Sequence, residues 1–182
     1  LSSFFARKPM TSRTPSVPQP RKATQAAAEL AQFEPEFIAG LREIFEKRVA
    51  FNQTIGLKIG EITPALVHGH ILMRPELIGH SAYQRIHGGV ISAGLDSMGG
   101  LAVMAAIAAR HMDEPPQQRL QRFSKLGTID LRVDYMRPGI GKEFVLTAKV
   151  LRLGSRVANT QMEFLSADGE LLSTGTAAYI VS

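Results

Sequence analysis

The sequence predicts an α+β domain in which a curved antiparallel sheet wraps around one buried helix. Residues 88–110 form a long apolar stretch in which Asp96 is the only charged side chain before Arg110. A helix that is apolar on every side must be buried. From residue 129 onwards apolar and polar residues alternate, which is typical of strands with one buried face. These observations together predict the sheet and the helix that it encloses.

The composition fits one globular domain without cysteine chemistry. The chain has 182 residues, of which 45% are hydrophobic and 20% charged, and this length allows a substantial core. Because there is no cysteine, disulfides, thiol nucleophiles, zinc–thiolate sites and iron–sulfur clusters are excluded. The net charge of +5 does not imply a basic surface that binds nucleic acid. Of the 21 basic residues, 5 lie in residues 1–28, which contain no acid. The remaining 16 bases balance the 16 acids.

Residues 1–28 are predicted to be a disordered, basic, proline-rich tail that precedes a folded domain at 29–182. Prolines stand among Ser, Thr, Gln and Arg, which leaves too little apolar area to offset the entropy cost of ordering. Like a transit peptide, the tail is basic and contains no acidic residue. Its apolar run at Phe4–Ala6 is too short for a secretory signal. We interpret it as a leader or as a mis-set start with Met10 as the initiator, and we predict a cytoplasmic protein.

Sequence periodicity predicts the individual elements. Apolar residues at helical spacing predict an additional, N-terminal amphipathic helix over 34–49. Two short strands are predicted next, at 55–62 and 65–73. Loops are predicted on either side of the apolar helix, at 75–86 and 111–127. Four antiparallel strands, with a turn at 167–170, complete the sheet at 129–135, 143–153, 157–166 and 171–181.

The apolar segment is long enough to cross a membrane, but its sequence favours a core helix. It is rich in glycine and alanine, and a central Asp costs about 2.5–3.5 kcal/mol on membrane-insertion scales. In a protein core, a buried carboxylate is also costly unless it is hydrogen-bonded or used. Gly94, Gly99 and Gly100 each cost about 0.5–1 kcal/mol relative to Ala inside a helix. Either close packing or space for a ligand must explain these glycines.

Two motifs resemble a known family. Residues 87–91 read His-Gly-Gly-Val-Ile, and Asp96 follows nine residues after the histidine. The strand at 127–134 continues into Tyr-Met-Arg-Pro-Gly at 135–139. These motifs resemble the hotdog-fold acyl-CoA thioesterases of the phenylacetate-pathway type, and most of all the bacterial enzymes of fatty acid metabolism that act on medium- and long-chain acyl-CoA. The resemblance covers residues 51–181 and implies a hotdog fold and acyl-CoA hydrolysis without metal or redox cofactor.

The resemblance also implies roles for individual residues. Asp96 is the implied catalytic carboxylate, either as general base or as nucleophile. The backbone N–H of Gly88 is implied to polarise the thioester carbonyl, and an amide at a helix N-terminus is well suited to an oxyanion. His87 is expected to position the loop or the substrate. Related enzymes commonly carry Asn or Gln six or seven positions before the histidine, where this sequence has Ser81 and His80.

His80, Ser81 and Gln84 are therefore candidates for positioning the water molecule. It is equally open that none of them has this role. For the CoA end, basic residues in or beside predicted loops are candidate phosphate contacts, namely Arg119, Arg122, Lys125, Arg152 and Arg156. We prefer Arg156, in the turn at 153–156. Gly89 is the second predicted CoA contact, because glycine lets a ligand approach the backbone closely.

Helix geometry adds a constraint on the site. Gly88 and Asp96 are eight residues apart on one helix, which is about 12 Å along its axis. The two groups of one chain therefore cannot contact the same carbonyl. We predict a two-fold homodimer with active sites shared between subunits, and members of the family often pair further into tetramers. The predicted partners are acyl-CoA and copies of this chain, without nucleic acid or membrane.

Other functions are weighed against hydrolysis. A hotdog hydratase or dehydratase is one alternative, although the His-Gly-Gly opening is unlike the His-Phe-Pro opening of dehydratases. A non-catalytic acyl-CoA sensor is another, although residues 1–28 show no helix-turn-helix pattern. A Ser-His-Asp mechanism through Ser92 or Ser97 is disfavoured because neither serine lies in a nucleophile elbow. His68 and His70 share a strand face, but no third ligand is apparent, so we predict no metal site.

Overall fold

A long helix lies against an antiparallel sheet in the computed structural model, which describes residues 32–182. The helices of this part of the chain are α1 (Pro35–Glu43), α2 (Ala50–Ile55), α3 (Gly88–Ala109) and α4 (Pro116–Gln121). A π-helical turn, Ile44–Arg48, joins α1 to α2. Short 3-10 turns occur at Pro75–Leu77, Ser81–Tyr83 and Arg122–Lys125. The tail predicted at 1–28 lies outside the described residues, and the boundary at residue 29 stays a prediction.

The strands form one large sheet and one small hairpin. They are β1 (Leu57–Ile62), β2 (Val67–Leu72), β3 (Ile78–His80), β4 (Arg85–Ile86), β5 (Gly127–Tyr135), β6 (Glu143–Leu153), β7 (Val157–Ser166) and β8 (Leu171–Ile180). Six of them pair in the order β1-β2-β6-β7-β8-β5, all antiparallel, and β3 pairs with β4. Tyr179 on β8 lies between Ala158 on β7 and Thr128 on β5. This register brings the start of β5 and the end of β8 side by side.

The inner face of the sheet buries α3. Leu95, Met98 and Leu101 of the helix are fully buried, as are Phe144 and Phe164 of the sheet. The helix is long and apolar enough to cross a membrane, with a mean hydropathy of 1.6, but 61% of that stretch is buried within the domain. The prediction of a sheet packed around a core helix is confirmed. Contact with the sheet accounts for the apolar sequence of α3.

Close packing explains two of the three helix glycines. A Cβ at Gly94 would lie 2.8 Å from the Leu146 side chain. A Cβ at Gly99 would lie 2.9 Å from Cζ of Tyr179 and would overlap its hydroxyl. At Gly100 the nearest atom, on Leu126, is 3.4 Å away, so a methyl group fits there in ordinary contact. Space for a ligand is therefore not needed to explain Gly94 or Gly99.

The predicted N-terminal helix and the four last strands are confirmed, whereas other elements differ from their predictions. The predicted single helix at 34–49 is α1 followed by the π-helical turn. The predicted strand at 55–62 begins only at Leu57, because α2 extends to Ile55 and ends at Gly56, which has φ +73°. The loop predicted at 111–127 contains α4 and a 3-10 turn. These helical segments are too short for sequence periodicity to reveal them.

Arg119 on α4 is buried instead of facing a ligand. Its side chain is 0% exposed, lies 2.5 Å from the carboxylate of Glu34 and stacks 4.6 Å from the ring centre of Phe37. Arg122 is likewise paired with Glu114 at 2.5 Å. The structure therefore corrects the prediction that Arg119 is a candidate phosphate contact, whereas a phosphate contact of the partly exposed Arg122 stays a prediction. Arg119 instead fixes the start of α1 on α4.

Removing the partner of this buried cation should destabilise the domain. In Glu34→Ala the buried Arg119 guanidinium loses its partly exposed carboxylate partner, and we expect the free energy of unfolding to fall by about 1–3 kcal/mol, the cost of leaving a buried donor unsatisfied. Glu43→Ala is the matched control, because Glu43 pairs with the exposed Lys47 and such surface pairs contribute less than about 1 kcal/mol. Urea unfolding of both variants measures the difference. Equal losses in the two variants would contradict the role of Arg119.

The same pair predicts a dependence on pH. Hydrogen bonding from Arg119 holds the pKa of Glu34 below its ordinary value of 4.5. A carboxyl group whose pKa is lower in the folded state stabilises the protein above its unfolded-state pKa, and this contribution is lost as the pH falls through the folded-state value. The stability difference between wild type and Glu34→Ala should therefore shrink as the pH is lowered below about 4.5.

β5 forms an edge of the sheet and is more exposed than predicted. Within residues 32–182 it pairs only with β8, and Ile129 and Tyr135 are 57% and 54% exposed. The prediction that alternation along this strand buries one face is thus wrong for these two residues in the single chain. An edge strand has a neighbour on one side only, so its side chains are incompletely covered.

Candidate active site

The carboxylate of Asp96 is held by two hydroxyl groups from the sheet. Thr128 Oγ1 on β5 donates to Asp96 Oδ1 at 2.9 Å. The Tyr179 hydroxyl donates to the Asp96 backbone carbonyl at 2.8 Å and lies 3.2 Å from Oδ1. Within residues 32–182, the hydrogen bonds to this carboxylate all go to Oδ1. One carboxylate oxygen is therefore fixed, and Oδ2 is available for chemistry.

Asp96 is half-buried in the single chain, whereas the sequence predicts a buried carboxylate. Its position two turns into α3 places it at the side of the helix that faces β5 and β8. β5 ends the sheet at this side, so one part of the carboxylate stays open to solvent. The acid is thus both hydrogen-bonded and accessible, as an acid that takes part in a reaction must be.

The start of α3 presents a free backbone amide. His87 caps the helix, and its Nδ1 accepts a hydrogen bond from the Gly89 N–H at 2.8 Å. Among the turn, loop and cap hydrogen bonds of the described residues, none has the Gly88 N–H as its donor. The Gly88 carbonyl accepts from the Tyr135 hydroxyl at 2.9 Å. The cap therefore occupies the second amide of the helix and leaves the first amide free for an oxyanion.

The hairpin of β3 and β4 carries the residues that lead into His87. A Cβ at Gly79 would lie 2.7 Å from Cα of His87, so the absence of a side chain lets the two segments meet. His80 is exposed, and its ring lies 4.9 Å from that of Tyr83. Ser81 is also exposed, and its carbonyl accepts from the side chain of Gln84. Roles of His80 and Ser81 in positioning water stay predictions, located at the Gly88 end of α3.

The predicted CoA contacts lie in different places. The Gly89 amide is already bonded to His87, and a Cβ at Gly89 would lie 2.9 Å from the ring of His87. The contact with the capping His87 thus explains why residue 89 is glycine, and no ligand is needed to explain it. Arg156 is exposed in the turn between β6 and β7, and its carbonyl accepts from the Val181 N–H at 3.0 Å. Contacts of Gly89 and Arg156 with CoA stay predictions.

The two serines of α3 bond elsewhere than to a histidine. Ser97 Oγ donates to the side chain of Asn52 at 2.7 Å, and Ser92 Oγ donates to the Gly89 carbonyl at 3.1 Å. Asn52 on α2 is buried and also donates to the carbonyl of Phe45. These bonds tie α2 to α3, and they give neither serine a general base in the described part of the chain.

Thr128 and Tyr179 are the site residues that sequence analysis misses. They lie 32 and 83 residues from Asp96 along the chain. Only the pairing of β5 with β8 brings them together under the helix. Gly99, three residues after Asp96, supplies one signal, because a glycine in a helix interior needs a reason such as the close approach of another side chain.

An open groove of about 550 Å³ lies next to the β3–β4 hairpin. Its lining residues are Leu72, Met73, Gln84, Ile140, Gly141 and Lys142. Asp96 and Gly88 are not among them, so the Asp96 carboxylate and the Gly88 amide lie outside this groove.

This chain is similar in sequence to known thioesterases. The model of the thioesterase superfamily matches residues 83–173, a range that includes His87, Gly88, Asp96 and Thr128. The medium/long-chain acyl-CoA thioesterase YigI of Salmonella typhimurium is 36% identical over 139 residues, which cover 76% of this chain and 90% of that protein. YigI of Escherichia coli K12 is 34% identical over 139 residues, with the same coverage of 76% and 90%.

A solved structure shares the fold. The crystal structure of a Shewanella oneidensis protein related to the thioesterase superfamily superimposes with a TM-score of 0.75 at 38% sequence identity. The match covers 82% of this chain and 100% of that one. The family match, the sequence relatives and the shared architecture of sheet and central helix show that this chain belongs to the thioesterase superfamily and is a thioester hydrolase.

Proposed function

We propose that this enzyme hydrolyses acyl-CoA thioesters, with acyl chains of medium to long length, to the free acid and CoA. The observation that carries the proposal is the Asp96 carboxylate, which is held through Oδ1 and open at Oδ2 on the helix whose first amide is free. The YigI relatives, named for medium- and long-chain acyl-CoA, support this substrate class. The Asp96 carboxylate and the substrates named for these relatives thus both favour thioester hydrolysis.

In the proposed reaction the Gly88 N–H and Asp96 act on opposite sides of the thioester carbonyl. Water adds to the carbonyl carbon, and Oδ2 of Asp96 takes one of its protons as general base. The carbonyl oxygen becomes an oxyanion and accepts a hydrogen bond from the Gly88 amide, strengthened by the helix dipole. The intermediate then collapses, the carbon–sulfur bond breaks, and CoA leaves as the thiol after taking up a proton.

The alternative chemistry uses the same oxygen. Oδ2 attacks the carbonyl directly, CoA leaves, and water then hydrolyses the acyl–aspartyl anhydride. In both routes Thr128 holds Oδ1 and Oδ2 is the oxygen that reacts. Both routes therefore need the carboxylate of Asp96 and the amide of Gly88 at one carbonyl.

This requirement supports a site shared between two subunits. Gly88 and Asp96 both lie in α3, so about 12 Å of helix separates them within one chain. In a two-fold dimer, the amide of one subunit and the carboxylate of the other meet at each of two sites. We propose this homodimer as the active unit, and the further pairing into a homotetramer and the cytoplasmic location stay predictions.

The edge strand β5 supports the proposed dimer. Its outer side is unpaired within the described chain, and it carries the exposed Ile129 and Tyr135. An exposed apolar edge strand tends to pair with another strand. Arg132 stands between Asp130 and Asp134 on the same strand, so two antiparallel copies can match opposite charges. β5 also carries Thr128, which places this edge beside the Asp96 carboxylate.

The position of Arg156 supports its role at the CoA end. Arg156 is exposed, and its side chain forms no salt bridge within residues 32–182. It lies two residues before Ala158. Ala158 pairs with Tyr179, whose hydroxyl bonds to Asp96. A guanidinium at this end of the sheet can bind a phosphate of CoA through charge-assisted hydrogen bonds.

A thiol-release assay across acyl-CoA chain lengths tests the proposed function. Purified enzyme should release CoA thiol from acyl-CoA substrates, with the highest kcat/KM for medium or long chains. Release that is equally fast from short chains would contradict the proposed chain length. Absence of thiol release from every chain length, in a folded sample, would contradict the proposed reaction.

A further inference from the structure

The side chain of Tyr179 reaches from β8 to the backbone of α3 directly beneath Asp96. It is only 1% exposed. Its hydroxyl donates to the Asp96 carbonyl at 2.8 Å and lies 3.2 Å from Oδ1, the oxygen that Thr128 also bonds. A strand residue in the core therefore contacts both the backbone and the carboxylate of the proposed catalytic acid.

The sequence of α3 makes room for this hydroxyl. A Cβ at Gly99 would overlap the Tyr179 hydroxyl and lie 2.9 Å from Cζ. Glycine destabilises a helix interior relative to alanine, so its presence here needs a reason. The reason is the approach of a phenol to the helix backbone at the turn that carries Asp96.

Two donors on one oxygen orient a carboxylate better than one donor does. With Thr128 alone, the Asp96 carboxylate can turn about its last bond, because this torsion is broad in side chains. Thr128 is itself exposed at the beginning of β5. The single proton of the Tyr179 hydroxyl is shared between the Asp96 carbonyl at 2.8 Å and Oδ1 at 3.2 Å, so this contact ties the carboxylate to its own backbone while Thr128 holds it from β5.

We propose that Tyr179 is a positioning residue, whose hydroxyl holds Asp96 Oδ1 against α3 and thereby aims Oδ2 at the thioester. The inference rests on the proposed role of Asp96, and Tyr179 acts through Asp96 without touching the substrate. Burial, followed by the nearby charge of Asp96, raises the pKa of Tyr179 far above its ordinary value. The phenol therefore remains a hydrogen-bond donor throughout the working pH range.

Tyr179→Phe tests the inference by removing one oxygen atom. We expect kcat for acyl-CoA hydrolysis to fall about tenfold, as for the loss of one hydrogen bond to a charged group, while KM changes less than about twofold. Ser97→Ala is the matched control, because it removes a hydroxyl hydrogen bond one residue further along α3, to Asn52. The control should keep the wild-type kcat.

A double-mutant cycle separates positioning from structural support. In an Asp96→Asn background no carboxylate remains to be aimed, so adding Tyr179→Phe should lower the residual rate less than about twofold. An equal loss of rate in both backgrounds would assign Tyr179 a structural role and overturn the proposal. Wild-type kcat in Tyr179→Phe, with Asp96→Asn inactive, would overturn it as well. Full activity of Asp96→Asn would instead overturn the proposed function.

Gly99→Ala provides a second variant if Tyr179→Phe does not fold. It retains the phenol but displaces its hydroxyl from Asp96, since the added Cβ overlaps it. Folded Gly99→Ala should show the same split, with a lower kcat and an unchanged KM, and the same loss of effect in the Asp96→Asn background. Unchanged kcat in folded Gly99→Ala would overturn the proposal.

Discussion

Asp96→Asn is expected to lower kcat for acyl-CoA hydrolysis by at least about two orders of magnitude, the usual scale for loss of a general base. The amide has nearly the shape of the carboxylate and its oxygen still accepts the hydrogen bond from Thr128. It can neither take a proton from water nor attack the thioester. The fold and the oligomer should therefore be retained while the reaction is lost.

Asp168→Asn is the matched control for this charge change, because Asp168 is exposed in the turn between β7 and β8. Thiol release measures kcat, and thermal unfolding and size-exclusion chromatography report fold and assembly. Asp96→Ala should be inactive too. Turnover near that of wild type in either Asp96 variant would show that another group performs the chemistry.

Gly88→Pro is expected to lower kcat by about 100- to 1000-fold, the cost of losing one donor to an oxyanion. Proline removes the N–H and fits the first position of a helix. The preceding residue, His87, has φ −68° and ψ 135°, the extended conformation that precedes proline most easily. The loss should therefore come from the missing donor rather than from a broken helix.

Gly88→Ala isolates the contribution of the amide. Alanine keeps the N–H and adds the same Cβ, which would lie 3.3 Å from the ring of Tyr135. Comparison of the proline and alanine variants in the thiol-release assay thus cancels the steric effect of the added Cβ. Equal kcat values in the two variants would mean that the Gly88 N–H does not bind the oxyanion.

The fold was predictable where the sequence pattern is long and regular. The bounds of β6 and β7 agree with the predicted 143–153 and 157–166, and the turn glycine Gly169 has the expected positive φ, +84°. The apolar α3 stands out because residues on every side of it are buried. By contrast, α4 spans six residues, and its key side chain, Arg119, resembles a surface cation in sequence. Its burial depends on Glu34 and Phe37, which lie far away along the chain.

The candidate site was predictable only in its part on α3. His87, Gly88 and Asp96 lie close enough in sequence to be seen as one motif. Thr128 and Tyr179 reach Asp96 through the pairing of β5 and β8, which no local pattern encodes. The exposed side of β5 was also not predictable, because alternation indicates an apolar face without saying whether the same chain covers it.

A mixing experiment between two inactive variants tests whether the active site is shared between subunits. Asp96→Ala and Gly88→Pro are unfolded together in equal amounts and refolded, so that about half of the dimers contain one subunit of each. Each mixed dimer then has one intact site, with the Gly88 amide of the first variant and the Asp96 carboxylate of the second. Tags on the two subunits, read by mass spectrometry, count the mixed dimers.

Activity should return to about a quarter of the wild-type value, because half of the dimers carry one of two sites. Each variant refolded by itself should stay inactive. Mixed dimers that form in the expected amount and remain inactive, although both variants fold, would contradict a site shared between subunits.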